Sequence, residues 1–236
     1  MWKKIQNFVL NLLYPQFCFN CGQEATSYLC EDCKSTLEIL QSHQKYSSQK
    51  GEENKFSSSP VAVARDLKDL YFALPYQNLL IKNLIQKFKY QPFVRELAIP
   101  LTSLIITHFQ LIEKSPTEFF DFILIPVPLE KRKLKWRGFN QAEEIGKELS
   151  KFLKISLLNN VLAKIKETPS QVELSDEERK ENIKGVFLVK DEELIKNRKI
   201  LLIDDIYTTG ATMEECARVL KTAGAKEIIG IVVARG

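Results

Sequence analysis

The pattern that most constrains the fold is a buried strand, a loop, a helix and a second buried strand close to the C-terminus. Apolar residues dominate 199–203 and 227–233, and residues 212–222 between them have helical spacing. Thr212 stands at the expected N-cap, and Gly224 follows the expected helix end. Acidic residues in the first turn and basic residues in the last match the helix dipole. The segment therefore predicts a βαβ unit with parallel, buried strands.

The same alternation of strand-length apolar runs and helical patterns extends back to residue 61. Further strands are predicted at 61–64, 120–127, 162–165 and 186–189, and further helices at 79–88, 98–112, 140–152 and 191–196. A length of 236 residues, with 44% apolar and 27% charged residues, is typical of a globular protein with a substantial core. We therefore predict an α/β fold with a doubly wound, mostly parallel sheet.

Three regions differ in composition along the chain. Residues 1–40 combine an amphipathic pattern at 1–13 with a cysteine cluster, residues 41–60 are polar and serine-rich, and residues 61–236 carry the α/β pattern. We predict an amphipathic helix with a metal-binding segment, then a linker or loop, then one larger domain. The apolar start is interrupted by polar residues and no small-residue cleavage site follows, so an export signal is not expected. A cytoplasmic protein is predicted, with peripheral association of residues 1–13 with a membrane left open.

Four of the five cysteines form two CxxC pairs, Cys18 with Cys21 and Cys30 with Cys33. Each pair directs two sulfurs toward one point, and four thiolates complete the tetrahedral shell of a structural Zn²⁺. An iron–sulfur cluster, a redox pair and metal-free thiols are the alternatives. The odd cysteine count without an export signal favours a reducing compartment. Cys216 shares a predicted helix face with apolar residues, so we expect it to be buried.

Two adjacent carboxylates and a threonine-rich turn make up the loop between the C-terminal strand and its helix. The candidate binding residues are Asp204, Asp205, Thr208, Thr209, Gly210, Ala211 and Thr212. The carboxylates can accept hydrogen bonds from vicinal hydroxyls, while threonine hydroxyls, backbone N–H groups and a helix N-terminus can hold a phosphate. A sugar phosphate would satisfy both halves. No GxxxxGK[ST] or GxGxxG motif is present, which disfavours a nucleoside triphosphatase and a dinucleotide site.

The run 200–212 resembles the signature of type I phosphoribosyltransferases, in which four apolar and two acidic residues precede Thr-Thr-Gly-x-Thr. With Pro-Val-Pro-Leu at 126–129, Arg-Gly-Phe-Asn-Gln at 137–141 and the CxxC pairs, the chain resembles the ComF family, whose members include late-competence proteins needed in natural transformation. The resemblance covers nearly the whole chain except 41–60. It implies binding of 5-phosphoribosyl-1-pyrophosphate (PRPP) with Mg²⁺. The ribose hydroxyls would lie on Asp204 and Asp205, and the 5-phosphate at 208–212.

A second group of candidates follows the predicted strand at 120–127. Val127, Pro128 and Leu129 lie where this fold places a pyrophosphate loop. A basic run with two aromatic residues comes next, made of Lys131, Arg132, Lys133, Lys135, Trp136, Arg137 and Phe139. Its cations would neutralise a pyrophosphate or contact the backbone of single-stranded DNA, with the aromatic rings stacked on bases. A solvated loop with one buried aromatic ring is the alternative, and the net charge of +4 does not by itself indicate nucleic acid.

Binding is better supported by the sequence than catalysis. Displacement of pyrophosphate needs Mg²⁺ and an acceptor, and no acceptor pocket or catalytic residue can be identified. His43 and His108 are expected to be bystanders, and the polar residues 168–185 suit a hood over the ligand. We predict a PRPP-binding protein of DNA uptake, with single-stranded DNA and proteins of the uptake machinery as partners and transferase activity left open. The alternative is an active phosphoribosyltransferase of nucleotide or cofactor metabolism with no DNA role.

Overall fold

The structure is a computed structural model that describes residues 16–42, 44–45, 66–166 and 182–236. The strands are β1 (Gln16–Phe17), β2 (Glu24–Ala25), β3 (Gln44–Lys45), β4 (Asp69–Pro75), β5 (Phe122–Pro126), β6 (Leu162–Lys164), β7 (Phe187–Val189), β8 (Lys199–Ile203), β9 (Ile206–Tyr207) and β10 (Glu227–Arg235). The helices are α1 (Glu31–Ser35), α2 (Leu79–Lys89), α3 (Ala98–Leu111), α4 (Lys131–Arg137), α5 (Gln141–Leu153) and α6 (Ala211–Thr222). Short 3-10 turns at Arg95–Leu97 and Pro116–Phe119 precede α3 and β5.

Four parallel strands form the centre of the main sheet, in the order β4-β10-β8-β5. Strand β3 adds to the β4 edge in the antiparallel direction, and β9 pairs in parallel with the end of β10. Strand β10 is buried along its length except at its two end residues. Because the four central strands run in one direction, their carboxyl ends meet at one edge of the sheet.

Side chains of β8 alternate between two apolar cores, one on each face of the sheet. Leu201 and Ile203 join the core under α2, α3 and α5, whereas Ile200 and Leu202 join the core under α6. Helix α6 approaches the sheet closely at Gly230, where a β-carbon would lie 2.8 Å from a methionine sulfur of the helix. Helices therefore cover both faces, and the predicted doubly wound α/β fold is confirmed.

Strands β6 and β7 form a separate antiparallel pair. The prediction that 162–165 and 186–189 belong to the parallel sheet was therefore wrong. Each strand has three residues, and Leu162 and Phe187 pack into the α6 core. The pair covers one face of the sheet instead of extending it.

Three local predictions were also wrong. Residues 191–196 form a turn rather than a helix, because the acidic side chain at its start binds a backbone N–H and a single buried residue, Ile195, anchors it. The basic run 131–137 is a helix rather than a loop, and it ends at Gly138 with a φ of 83°. Helix α6 begins at Ala211, and Gly210 occupies the N-cap position, so Thr212 lies inside the first turn.

The cysteine-containing segment packs against the larger domain. Leu29 and Leu37 join the core under α2 and α3. The Leu40 N–H donates to the Ala73 carbonyl at 2.9 Å, and its own carbonyl lies 2.6 Å from His108 Nδ1. Strand β3 falls inside the stretch predicted to be a linker. Residues 1–15, His43, the rest of the linker after β3 and the strand predicted at 61–64 lie outside the described residues.

None of the helices in the described ranges has the length and apolar character needed to span a membrane.

Candidate functional site

A cleft of about 560 Å³ opens at the carboxyl ends of β5 and β8. One wall is the loop after β8, and the other is the β5–α4 connection, with the end of α2 and strands β6 and β7 completing the lining. Ligands bind at this edge in doubly wound sheets. The structure brings together the predicted groups from the two loops, namely Asp204, Asp205, Thr208, Thr209, Gly210, Ala211, Thr212, Val127, Pro128 and Leu129.

The acidic pair is anchored through its backbone to strand β10. The Asp204 N–H donates to the Ile231 carbonyl at 3.1 Å, and the Asp205 carbonyl accepts from the Val233 N–H at 3.0 Å. The Asp205 N–H also donates to the Asp204 carboxylate at 2.9 Å. The backbone from which both side chains leave the sheet is therefore fixed.

Lys89, at the C-terminal end of α2, contacts this pair. Its Nζ lies 2.8 Å from Oδ1 of Asp205, which is buried. Burial lowers the pKa of Lys89, but the negative charges of Asp205 and Asp204 outweigh burial and raise the pKa above its ordinary value. Lys89 therefore supplies a positive charge beside the acidic pair.

Asp204 is half-buried and titrates near neutrality. Burial, and after it the charge of Asp205, raises the pKa of Asp204 from 3.8 to about 7, while the charge of Lys89 opposes this shift. Ionisation of this carboxyl is costly without a ligand. Hydroxyl donors or a cation arriving in the cleft would stabilise its charged form.

The turn before α6 requires glycine at position 210. Gly210 has a φ of 79°, and a β-carbon there would lie 2.3 Å from the Tyr207 hydroxyl oxygen. That hydroxyl donates to the Glu214 carboxylate at 2.8 Å, so the tyrosine ring is held against the turn. The Ala211 N–H meets Thr209 Oγ1 at 3.4 Å. The turn directs the N-terminus of α6 toward the cleft, where it suits an anion.

The loop after β5 is tied to its neighbours by hydrogen bonds. The Val127 N–H donates to the Ile203 carbonyl at 2.8 Å, and the Val127 carbonyl accepts from Asn140 Nδ2 at 3.0 Å. The same Asn140 side chain caps α5 by accepting from the Ala142 N–H at 3.2 Å. Asn140 thus joins the loop at 127–129 to the start of α5.

The basic run is divided between two faces of α4. Lys133 and Arg137, one helical turn apart, line the cleft, whereas the remaining cations are exposed and do not line it, namely Lys131, Arg132 and Lys135. Arg137 donates to the Gln141 side chain, but among the described residues its buried Nε has no hydrogen-bond partner. Burial lowers the pKa of Arg137. A half-buried guanidinium of this kind suits an anionic ligand.

The two aromatic residues of this region differ in exposure. Trp136 is 57% exposed and meets Phe93 edge-on, with 4.7 Å between ring centroids. Phe139 is buried, with its ring centroid 5.5 Å from that of Phe88. The expectation that Phe139 would stack on bases was therefore wrong, because the chain turns inward after Gly138. Trp136 alone of the two remains available for stacking.

Sequence reasoning missed several residues that line the cleft. Lys89 and Tyr90 end a helix that is recognisable only by its apolar face, and a basic residue at a helix end is ordinary. Lys164 reaches the cleft from β6, and burial, with the nearby charge of Lys133, lowers its pKa. The buried carboxylate of Glu130 lies 3.9 Å from Lys133. The one available signal was Glu130, an acid immediately before a run of bases.

The four cysteines of the N-terminal segment converge, with their sulfurs within 4.8 Å of one another. Cys21 and Cys30 are 3.6 Å apart, and Asn20 Nδ2 donates to the Cys33 sulfur at 3.2 Å. Burial opposes ionisation of Cys18, but backbone N–H groups of its neighbours outweigh burial and lower its pKa to about 6. The predicted metal-binding cluster is confirmed as a geometry that fits one ion held by four sulfurs.

The cysteine cluster contacts helix α2. Phe19 stacks on Tyr28 with 4.8 Å between ring centroids, and Lys87 Nζ lies 4.7 Å from the Phe19 centroid. Lys87 is two residues before Lys89. One helix therefore links the cysteine cluster to the cleft.

Two other residues weighed in the sequence lie away from the cleft lining. His108 is buried, with its Nδ1 against a backbone carbonyl. Cys216 is buried in the α6 core as predicted, and burial raises its pKa well above the ordinary value.

Comparisons with known proteins give a domain family and several relatives. Residues 137–236 match the phosphoribosyl transferase domain family. Competence protein F of Haemophilus influenzae is 38% identical over 106 residues, which is 44% of this chain and 46% of that protein. DNA utilization protein YhgH of Escherichia coli K12 is 32% identical over 105 residues, covering 44% of this chain and 45% of that protein. Competence protein ComFC of Streptococcus pneumoniae is 29% identical over 214 residues, 86% of this chain and 85% of that protein. The matched part of the chain thus spans about half the length of the first two relatives and most of the third.

Proposed function

Because the chain belongs to the ComF family of the phosphoribosyltransferase superfamily, we propose that it binds PRPP in the cleft at the carboxyl ends of β5 and β8. The observation that carries the proposal is one loop in which an acidic pair, a glycine turn and the N-terminus of α6 follow one another. Asp204 and Asp205 take the ribose hydroxyls, and residues 208–212 take the 5-phosphate.

The pyrophosphate of PRPP is assigned to the opposite wall. Residues 127–129 would supply backbone groups there, and Lys133 and Arg137 face the same space. The half-buried Arg137 guanidinium favours a phosphate group because that contact would satisfy its buried Nε. Lys131, Arg132 and Lys135, which do not line the cleft, take no part in this contact.

Mg²⁺ enters as part of the substrate, bound to PRPP oxygens, and neutralises charge on the pyrophosphate. The site fits such a complex, because Asp204 ionises more readily when positive charge approaches it. The chain's own residues orient the sugar and hold the two phosphate groups at either end. No residue is assigned as a catalytic acid or base.

The names of the relatives support a role for this chain in competence, and we propose that it acts there on incoming single-stranded DNA. The surface that favours DNA contact is the outward face of α4, where Lys131, Arg132 and Lys135 surround the exposed ring of Trp136. Cations contact phosphates and an indole ring stacks on an unpaired base. Proteins of the uptake machinery are the further partners proposed.

We assign a structural Zn²⁺ to the cluster of Cys18, Cys21, Cys30 and Cys33, since four thiolates leave no open coordination position. A cluster of zinc-bound thiolates is typical of a reducing compartment, so we propose that the protein is cytoplasmic. Metal analysis of freshly reduced protein should find about one zinc per chain. A value far below one would remove this assignment.

A second candidate is catalysis of phosphoribosyl transfer. It is favoured by the reach of the cleft beyond the acidic loop to Lys164 and Phe187 on β6 and β7, where an acceptor would have room. Acceptor and product are unassigned.

One experiment separates these functions. Mg·PRPP is titrated into the full chain by calorimetry, with and without single-stranded DNA, while released pyrophosphate is assayed. Binding without release supports the PRPP-binding competence protein, and release that depends on an added acceptor supports the transferase. Absence of any PRPP binding at millimolar concentration would contradict both.

A further inference from the structure

The two carboxylates of the acidic loop have different surroundings. Asp205 is buried, and its Oδ1 forms an ion pair with Lys89 at 2.8 Å. Asp204 is half-buried, and the contact that its Oδ1 makes is with the backbone N–H of its neighbour. Lys89 therefore neutralises the carboxylate of Asp205, whereas the carboxylate of Asp204 can still accept hydrogen bonds from a ligand.

Lys89 is placed by the body of α2. Asn78 caps the helix by accepting from the Ile81 N–H at 3.1 Å, and Ile85 and Phe88 bury the inner face. The last turn then ends at Lys89, whose side chain lies in the cleft lining. A lysine held by a packed helix is a fixed cation rather than a mobile surface charge.

We propose that Lys89 is a positioning residue that neutralises Asp205 and so divides the acidic pair, with Asp204 as the carboxylate that retains its charge for the ligand hydroxyls and Asp205 as the second, oriented acceptor. The inference rests on the proposed function in one respect, that the ligand is PRPP. Asp205 keeps its second oxygen for the sugar, but its direction is set by Lys89. Without Lys89, the two adjacent carboxylates would repel each other with no cation between them and the cleft.

Four titratable groups of the described residues interact with the acidic pair or with its cations. Lys89 of α2 and Arg137 of α4 interact with both carboxylates, the Cys216 thiol of α6 interacts with Asp204, and Tyr90, which follows α2, interacts with the two cations. The charge of Lys89, and after it the hydrogen bond from the Asp205 N–H, lowers the pKa of Asp204 against the effects of burial and of the Asp205 charge. Its removal would move ionisation of Asp204 to higher pH.

The test uses the full chain with Lys89→Met, Lys89→Arg as the conservative rescue and Lys82→Met as the control. Lys82 is exposed on the same helix and does not line the cleft. Mg·PRPP affinity is measured by calorimetry from pH 6 to pH 9. Lys89→Met should weaken Mg·PRPP binding at pH 7 about tenfold or more. Affinity is expected to increase with pH as Asp204 ionises, and this increase should occur at higher pH in Lys89→Met. The Mg·PRPP affinity of Lys89→Arg should stay within about threefold of the wild-type value, and the affinity of Lys82→Met should equal the wild-type value.

Unchanged affinity and an unchanged pH profile in Lys89→Met would overturn the inference. If the wild type itself does not bind PRPP, the proposed function fails, and Lys89 is judged on the ligand-free protein. Its melting temperature should then fall below that of the wild type by an amount that grows from pH 5 to pH 8. If the melting temperature of Lys89→Met falls by the same amount at pH 5 and pH 8, Lys89 does not neutralise Asp205.

A double variant covers the case in which Lys89→Met does not fold. Lys89→Met with Asp205→Asn leaves neither charge alone, so folding should recover in the double variant. If the double variant is as unstable as Lys89→Met, the lysine acts through packing and the inference is wrong.

Discussion

At the scale of single residues, Asp204 lowers the stability of the ligand-free protein. Its pKa is about 7 in the folded chain, against an ordinary value of 3.8, because of burial and the neighbouring Asp205. Between these values the folded state binds more protons than the unfolded state, so the free energy of unfolding falls as pH rises through this window. Above pH 7 the loss of stability caused by the ionised Asp204 reaches its full size. The binding site therefore lowers the free energy of unfolding when no ligand occupies it.

The replacement Asp204→Asn should therefore raise the melting temperature at pH 8 and leave it nearly unchanged at pH 3. The expected gain in the free energy of unfolding at pH 8 is on the order of 1–3 kcal/mol, below full conversion of the shift because the side chain is only half-buried. PRPP affinity should fall in the same variant, which calorimetry measures. Asp205→Asn is the matched control and should lower stability instead, since Lys89 then lacks its partner. Loss of stability at pH 8 in Asp204→Asn would contradict the assignment.

Gly210 allows a second test at the residue scale. Gly210→Ala adds a β-carbon 2.3 Å from the Tyr207 hydroxyl oxygen at a φ of 79°, so the turn must move. Gly138→Ala has a similar φ of 83° with no atom within 4 Å, so it measures backbone strain alone, about 1 kcal/mol. Urea unfolding should show the larger loss in Gly210→Ala, and its PRPP affinity should drop at least about tenfold. An equal loss of stability in the two variants would show that the contact with Tyr207 does not matter.

At the scale of elements, helix α4 separates two kinds of positive charge that look continuous in the sequence. For the seven-residue basic run, the sequence left open contact with pyrophosphate, contact with DNA and a solvated loop, whereas the structure forms a helix there. Helical geometry settles which cations share a face, because residues four apart point the same way. The residue types are evident from the sequence. Which cations line the cleft and which do not depends on the helix and on its packing against neighbouring elements.

The two faces of α4 should separate by mutation. Lys133→Ala with Arg137→Ala should weaken PRPP binding and leave single-stranded DNA binding little changed. Lys131→Ala with Arg132→Ala and Lys135→Ala should weaken DNA binding and reduce its salt slope by about two, at about −0.7 per cation lost. Calorimetry and fluorescence anisotropy over a range of salt concentrations make the two measurements. An equal loss of both ligands in either variant would show that the faces do not act separately.

At the scale of the whole molecule, the cysteine cluster and the cleft share one core through α2. Leu29 and Cys33 belong to the same apolar cluster as Leu84, Ile85 and Phe88 of that helix. Loss of the metal should therefore disturb more than the N-terminal segment. The position of Lys89 depends on this packing.

Chelation of the metal, or Cys33→Ser, should lower the melting temperature and also weaken PRPP binding several-fold. Cys216→Ser is the control for the loss of a thiol, since it lies in the other core. Hydrogen exchange should show faster exchange in α2 after chelation. Unchanged PRPP affinity and unchanged exchange in α2 would separate the cluster from the cleft.

The sequence predicted the βαβ unit, the acidic loop and the cysteine cluster because each is local, with its residue spacing set by one element and its turn. It did not predict the antiparallel β6–β7 pair or the ion pair of Lys89 with Asp205, which join residues far apart in the chain. Phe139 was misassigned for the same reason, since its burial against Phe88 depends on how α2 packs. Long-range packing, rather than local propensity, decided each of these cases.

The most direct test of the central claim is a crystal structure of the full chain with Mg·PRPP. We expect ribose hydroxyls within hydrogen-bond distance of the carboxylates of Asp204 and Asp205. We also expect the 5-phosphate on the backbone of residues 208–212 and the pyrophosphate beside Arg137. A ligand bound elsewhere, or with its pyrophosphate at 208–212, would contradict it.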